Sequence, residues 1–424
     1  MNWDTDSFKR YYTDLYYYEV RRQRGEGHLK KLVQINSVCY GSTGRIAKSI
    51  SDAARKEGYE VHNFYGRGKP FDETCTKISN TLETYISGIN TRVFGMHAEL
   101  SMAATNRLIS EIERIKPDII QIHNVHGYYV NKTMLFEYLK KQDCPVVWTL
   151  HDCWAFTGHC AYFDYPECDK WKTGCGHCPR KNDYPRSLIF DTSRKEYRKK
   201  KEIFNGVKNM TLVTPSLWLK GLIGQSILKN YEVVCINNGV NVSNFKPTED
   251  IDVYELFNIP GNKKIILSIA SVWERRKGLD DLMALADMLD DEYQLVTVGL
   301  NDAQLKKLNP KITGIKRTEN VKQLARLYTQ AYVLVNPTFE DNYPTVNLES
   351  ICCGTPVITY NTGGSVEVIN EHTGLVTQQN TPESLLKAIR ELNIDSIPEE
   401  EMSRYSDSNM SRNYLELYES LLNR

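Results

Sequence analysis

The sequence predicts an α/β protein made of two successive doubly wound units, each a parallel sheet covered by helices. Three observations carry this. From Lys31 onward, short β-branched runs alternate with helical patterns, the rhythm of strand–helix–strand units around a parallel sheet. The same rhythm restarts after residue 260, behind a stretch rich in acids, Asn and Pro. The length, 424 residues with 41% hydrophobic and 25% charged, suits two packed domains and rules out wholesale disorder.

In chain order, LVQI (32–35) reads as a strand before a helix near 44–57, DIIQI (118–122) as a strand before a helix at 132–141, and VVWTL (146–150) as the next strand. The segment 241–264, with Pro247, Pro260 and Gly261, reads as the linker. IILSIA (265–270) opens the second unit, followed by a helix from Leu279, YQLVTVG (293–299), a helix near 320–329, YVLVN (332–336) and PVITY (356–360). MSRNYLELYESLL (410–422) sets Tyr414, Leu415, Tyr418, Leu421 and Leu422 at helical spacing, so this helix must bury a face. The expected layout is an extension over 1–30, a first domain over 31–246, a second over 247–405 and a terminal helix over 406–424.

The charges balance, 53 Lys and Arg against 53 Asp and Glu, so no global field favours nucleic acid. No apolar stretch approaches the roughly 20 residues of a membrane-spanning helix, and the start lacks the apolar core of a secretory signal, so the expected location is the cytoplasm. Residues 1–30 mix Tyr11, Tyr12, Tyr16, Tyr17 and Tyr18 with Lys9, Arg10, Arg21, Arg22 and Arg24. That composition suits a helix at a lipid headgroup layer, a peripheral contact with the inner face of the membrane, and equally a cap on the first domain. Of eleven cysteines, Cys153, Cys160, Cys168, Cys175 and Cys178 fall in one short segment. Cys39, Cys75, Cys144, Cys235, Cys352 and Cys353 are scattered and read as small buried hydrophobes.

The most informative stretch is PTFEDNYPTVNLESICCGTPVITYNTGG (337–364): it leaves a strand, turns at Asn342, Tyr343 and Pro344, and enters a helix. Asp341 and Glu349 bracket the turn near the carboxyl edge of the sheet, where ligands of open α/β folds bind. Free N–H groups at that helix start would attract an anion such as a diphosphate. Here the sequence resembles the paired-acid motif of the family 4 glycosyltransferases, retaining enzymes of the GT-B fold in which two Rossmann-like domains face an interdomain cleft. The resemblance covers residues 31 to 424. It implies that Asp341 contacts the donor sugar and Glu349 the donor ribose, with Asn342 and Tyr343 of the turn also binding the donor. Asp stands here where Glu is usual, which brings Glu340 forward as a second candidate for the sugar contact.

ASVWERRKGLDDL (270–282) follows a strand and places Lys277 over the same sheet edge. The resemblance makes Lys277 a diphosphate ligand, the general default for such a residue being a solvated surface lysine. Val272 stands where the family carries Arg, and Arg275 or Arg276 can take its place through a bidentate guanidinium. TPSLWLK (214–220), INNGVNVSNFKP (236–247), NTGGSVEVI (361–369) and HTGLV (372–376) match the family in order and spacing.

In the first unit, VCYGSTGRIAKSI (38–50) puts Gly41, Gly44 and Arg45 at a helix start, as a donor-facing loop by resemblance or as a tight strand-to-helix turn. His123 and His151 each end a buried strand. A strand-end histidine is by default a satisfied structural group. The resemblance instead assigns His151 to the transferred sugar near the reacting carbon and makes His123, Asn124 and Asp152 acceptor-side or supporting residues. Cys160, Cys168, Cys175 and Cys178 can close a structural zinc site, with buried thiols or a disulfide as alternatives.

The resemblance implies a retaining glycosyltransferase that takes a nucleotide-diphosphate sugar and a saccharide or lipid-linked saccharide acceptor in cell-surface polysaccharide biosynthesis, such as capsule or exopolysaccharide. His151, Lys277 and Asp341 are its expected catalytic residues. By analogy with the fold, the last helix should pack back on the first domain. The Asp4/Asp6 and Asp250/Asp252 pairs lie away from the strand ends, so no catalytic divalent metal is expected. A nucleotide-sugar epimerase and a non-catalytic nucleotide-sugar scaffold are the alternatives.

Overall fold

The computed structural model describes residues 29–95, 98–165, 167–183 and 185–424. Seven strands form the first sheet: β1 (Lys31–Val38), β2 (Glu60–Arg67), β3 (Cys75–Lys77), β4 (Ile119–Ile122), β5 (Val146–Thr149), β6 (Met210–Thr214) and β7 (Glu232–Cys235). Six form the second: β8 (Lys264–Ile269), β9 (Tyr293–Val298), β10 (Ile312–Ile315), β11 (Ala331–Asn336), β12 (Val357–Thr359) and β13 (Gly374–Val376). Their orders are β3-β2-β1-β4-β5-β6-β7 and β10-β9-β8-β11-β12-β13, and every pairing is parallel.

Each sheet reverses its winding between its first and fourth strands, β1/β4 and β8/β11. At such a reversal the loops leaving neighbouring strands diverge to opposite faces and open a crevice beyond the carboxyl ends. The glycine-bearing helix start follows β1, His123 follows β4, Lys277 follows β8 and Asp341 follows β11. The fold thus delivers the candidate residues to two crevices.

β4 and β5 are buried at every residue, as strands covered on both faces must be, and their Ile and Val runs were legible for that reason. β2 was not. Its sequence, EVHNFYGR, is broken by His62 and Asn63, yet it lies inside the sheet between β1 and β3. The helix Gly41–Lys56 buries Ile46, Ala47, Ile50 and Ala54 along one face. Gly44 lets it sit this close: a Cβ there would lie 2.4 Å from the Cys39 carbonyl carbon.

The chain crosses between cores earlier than expected, since Ile236 packs with the first domain and Val240 and Phe245 with the second. It returns through the helix Asp407–Leu422, capped by Ser406 Oγ accepting from Asn409 N at 3.2 Å. This helix buries Met410, Tyr414, Tyr418 and Leu421 against Leu32, Ile46, Val147 and Val213 of the first domain. Each large side chain so covered stabilises the docking by about 1.5–3 kcal/mol before ordering costs. Tyr418 Oη donates to Gln121 Oε1 at 2.9 Å, and Lys30 Nζ lies 2.6 Å from Glu419 Oε1.

The reading of residues 1–30 falls almost wholly outside the described residues. Among those described, no helix is long and apolar enough to cross a membrane.

Candidate active site

The second sheet supplies the cations. After β8 the chain makes a single turn over Arg275–Lys277 and stops at Gly278, whose φ is 74°. A Cβ on Gly278 would lie 2.2 Å from the Pro337 carbonyl oxygen, so only glycine lets this turn rest on the exit of β11. Lys277 Nζ consequently pairs with Asp341 Oδ2. Burial lowers the Lys277 ammonium's pKa, and Asp341 opposes that shift by favouring the charged form. Arg276 Nη1 donates to the Glu340 carbonyl at 2.9 Å while its guanidinium lies 4.8 Å from the Tyr162 ring. Arg275 is exposed and stacks near Tyr165 at 5.3 Å, and Val272 is exposed.

The helix Thr345–Cys352 carries the second acid inward. Glu349 is buried and accepts from Tyr328 Oη at 2.9 Å and from Arg45 Nη2 at 3.1 Å. Burial pushes its carboxyl pKa up, and Arg45 pulls it back. Arg45 comes from the first turns of the first domain's helix Gly41–Lys56, so the two crevices face each other and one donor candidate neutralises another. Gly41 is exposed at that helix's start.

Three expected donor residues have partners within the protein. Glu340 is fully buried and turned toward the first domain, where Arg180 Nη2 lies 2.8 Å from Oε2 and Tyr165 N donates to Oε1 at 2.9 Å. The Lys277 pairing falls to Asp341. Asn342 spends its amide between the domains: Oδ1 accepts from Ser216 Oγ, and Nδ2 donates to the His151 carbonyl at 3.1 Å. Tyr343 is buried in the second core, its carbonyl accepting from Asn238 Nδ2 at 3.2 Å. Asn342 thus joins the domains, and Tyr343 fills a core.

On the first domain, His123, Asn124, His126, His151 and Asp152 line one small cleft. His123 Nδ1 is 3.1 Å from His151 Nε2, and His123 Nε2 is 3.0 Å from Gln34 Oε1. Burial holds His123 well below the usual imidazole range and His151 down to about 4. His126 Nε2 lies 3.0 Å from Asp152 Oδ2, and Asp152 Oδ1 accepts from Trp154 N at 2.9 Å. Burial raises the Asp152 carboxyl's pKa, but His126 and these hydrogen bonds outweigh it and hold the group below its ordinary value.

Cys160, Cys168, Cys175 and Cys178 line one cavity with Phe163 and Trp171. Among the described residues, however, no three His, Cys, Asp or Glu side chains converge as ligands of one metal ion. Cys160 instead donates to Cys178, which raises the first thiol's pKa and lowers the second's. Cys175 Sγ accepts from Gly158 N at 3.1 Å. The zinc expectation thus finds no converged ligand set among the described residues. Lys200, buried beside the cavity and donating to the Trp154 carbonyl at 2.6 Å, is held down to about 7 by burial.

Several residues at the domain junction carried no sequence signal of function. Glu367 of the second domain accepts from Leu217 N at 2.9 Å and Trp218 N at 2.7 Å, capping a first-domain helix. It lies in NTGGSVEVI, where only the glycines had drawn notice. Cys39 and Cys75, read as unrelated, have sulfurs 3.7 Å apart.

Comparison with known proteins agrees with this architecture. Residues 43–244 match the family described as Glycosyltransferase Family 4, and residues 255–409 match Glycosyl transferases group 1. A putative colanic acid biosynthesis glycosyl transferase, WcaC of Escherichia coli K12, is 25% identical over 410 residues, covering 90% of this chain and 97% of that protein. The N,N'-diacetylbacillosaminyl-diphospho-undecaprenol alpha-1,3-N-acetylgalactosaminyltransferase of Campylobacter jejuni is 26% identical over 46% of this chain and 56% of its own length. Among solved structures, sucrose-phosphate synthase of Thermosynechococcus elongatus superposes with a TM-score of 0.70 at 17% identity, covering 93% of this chain and 99% of that one. HepE of Anabaena, in complex with UDP and glucose, superposes at 0.62 and 13%, covering 93% and 100%. With both of its domains matched in order and its two parallel sheets wound alike, the chain belongs to family 4 of the glycosyltransferases and has the GT-B fold.

Proposed function

We propose that this glycosyltransferase moves a sugar from a nucleoside diphosphate to a saccharide or lipid-linked saccharide acceptor in cell-surface polysaccharide assembly, with retention at the anomeric carbon. The observation that carries the reading is the convergence of Lys277, Arg276 and Asp341 at one sheet edge, with Glu349 and Arg45 facing across the domain junction. The names of the Escherichia and Campylobacter relatives support the acceptor class.

The chemistry follows from charge. As the bond between anomeric carbon and phosphate oxygen stretches, negative charge grows on the diphosphate, and cations already fixed in place stabilise it without reorganising. Lys277 and Arg276 meet that requirement, each anchored by a carboxylate or a carbonyl. Glu349 exchanges Arg45 for the ribose hydroxyls, which frees the guanidinium for phosphate. The acceptor oxygen bonds to the anomeric carbon on the face the diphosphate leaves, and its proton passes to a phosphate oxygen. A peripheral membrane contact through residues 1–30 belongs to the same proposal and is supported by their composition.

The test is a thermal-shift screen of the purified chain against nucleotide sugars, since a ligand held only by the folded state raises its stability. Proton NMR of the product with the selected donor then reads the anomeric configuration. A new glycoside of retained configuration is expected. A rearranged free sugar would mean epimerisation, and binding without turnover would mean a scaffold.

A further inference from the structure

Gln34 lies in the middle of β1 and is buried. Its Nε2 donates to the Ala47 carbonyl at 2.9 Å and sits 2.6 Å from Ser51 Oγ, while its Oε1 lies 3.0 Å from His123 Nε2. Ala47 decides the amide's orientation, because the flipped amide would set two carbonyl oxygens against each other. An amide oxygen only accepts, so the hydrogen between Gln34 and His123 sits on His123 Nε2.

The rest follows by elimination. The His123 ring is buried, and its hydrogen-bonding neighbours are an amide and a second imidazole, so it is neutral and its Nδ1 carries a lone pair. That lone pair faces His151 Nε2 at 3.1 Å, which must therefore donate. A neutral His151 with its hydrogen on Nε2 has an acceptor at Nδ1, and its ring lines the cleft.

We propose that Gln34 and His123 are positioning residues that lock His151 as its Nε2–H tautomer, so that it offers an acceptor to a ligand hydroxyl and disfavours a ligand carboxylate at that point. The second half rests on the reading that the transferred sugar stands beside His151. Substrate selection at this contact is then written one strand away, in a residue that never touches the sugar.

Nitrogen NMR of ring-labelled histidines, with His151 assigned from the spectrum of H151Q, reads the tautomer without any substrate. The expected result is a protonated Nε2 and an unprotonated Nδ1 at both His123 and His151 in the full chain at neutral pH. A protonated Nδ1 on His151 overturns the proposal. Transfer is then measured with the nucleotide sugar chosen by the screen above. H123F should lower kcat/KM about tenfold, the worth of one hydrogen bond, and shift His151 toward the other tautomer. H123N, whose amide oxygen can stand near the lost Nδ1, should recover most of that loss. Equal losses in two folded variants overturn the relay. The expected tautomer with no change in transfer in either variant removes the sugar from His151, and with it the substrate half of the inference.

Discussion

Arg180 Nη2 lies 2.8 Å from Glu340 Oε2, and the two residues belong to different domains. Glu340 has no solvent exposure, and Arg180 lies in the cysteine-rich segment. The segment beside the histidine-lined cleft is thereby tied to the residue immediately before Asp341.

Removing one partner of a buried ion pair leaves an uncompensated charge, so R180A should destabilise the chain by about 3–5 kcal/mol at neutral pH. Burial already raises the Glu340 pKa, against the pull of Arg180, and the variant removes that pull. A carboxyl raised in the folded state stabilises most when protonated, so the variant's deficit should shrink as pH falls. Urea midpoints at pH 7.5 and 5.5 check this, and E340Q added to R180A should restore part of the loss. A deficit that grows toward acid would refute the account.

Lys277 is anchored by Asp341 at the sheet edge. K277A should lower kcat by about two to three orders of magnitude, the usual cost of deleting one preorganised charge at a reacting centre. K277R should recover part, since the charge returns at altered geometry. Steady-state kinetics beside unchanged circular dichroism decide it, and a loss confined to KM would make Lys277 a simple binding residue.

Stability should fall as pH drops from about 6.5 toward about 4. Burial holds His151 and His159 down to about 4 and His123 well below the ordinary range, so the unfolded chain takes up protons in this window that the native one refuses. H159Q should flatten the slope of urea midpoint against pH. An unchanged slope would show that His159 is charged in the fold.

Cys75 is held down to about 7 by the thiol it accepts from Cys39. Iodoacetamide at pH 7 should label Cys75 and Cys178, also lowered, ahead of Cys144 and Cys175, which burial raises to about 11. C39A should slow the labelling of Cys75 about tenfold. Peptide mass spectrometry over a time course reads the order.

The elements that were legible in the sequence are those whose residues answer to one local demand. β4 and β5 are continuous apolar runs because both faces are covered, and the Lys277 turn is marked by Gly278. Asp341 and Glu349 kept their spacing across a turn and a helix. What stayed hidden depends on partners far along the chain. Arg180 gains meaning only from Glu340, 160 residues away, and Glu340 and Asp341 are neighbours whose side chains turn to different domains. Nothing local in Asn342 announces that its amide bonds Ser216 and the His151 carbonyl across the domain junction. Four cysteines close in sequence do line one cavity, but spacing alone does not fix whether three of them converge on one point.

The helix Asp407–Leu422 completes the apolar face around Leu32, Ile46 and Val147. During translation the amino-terminal sheet therefore emerges with a flank bare, and no later strand of its own covers it. The patch waits until the whole second domain has left the ribosome, so nascent chains stalled in between display sticky surface that chaperones would have to shield.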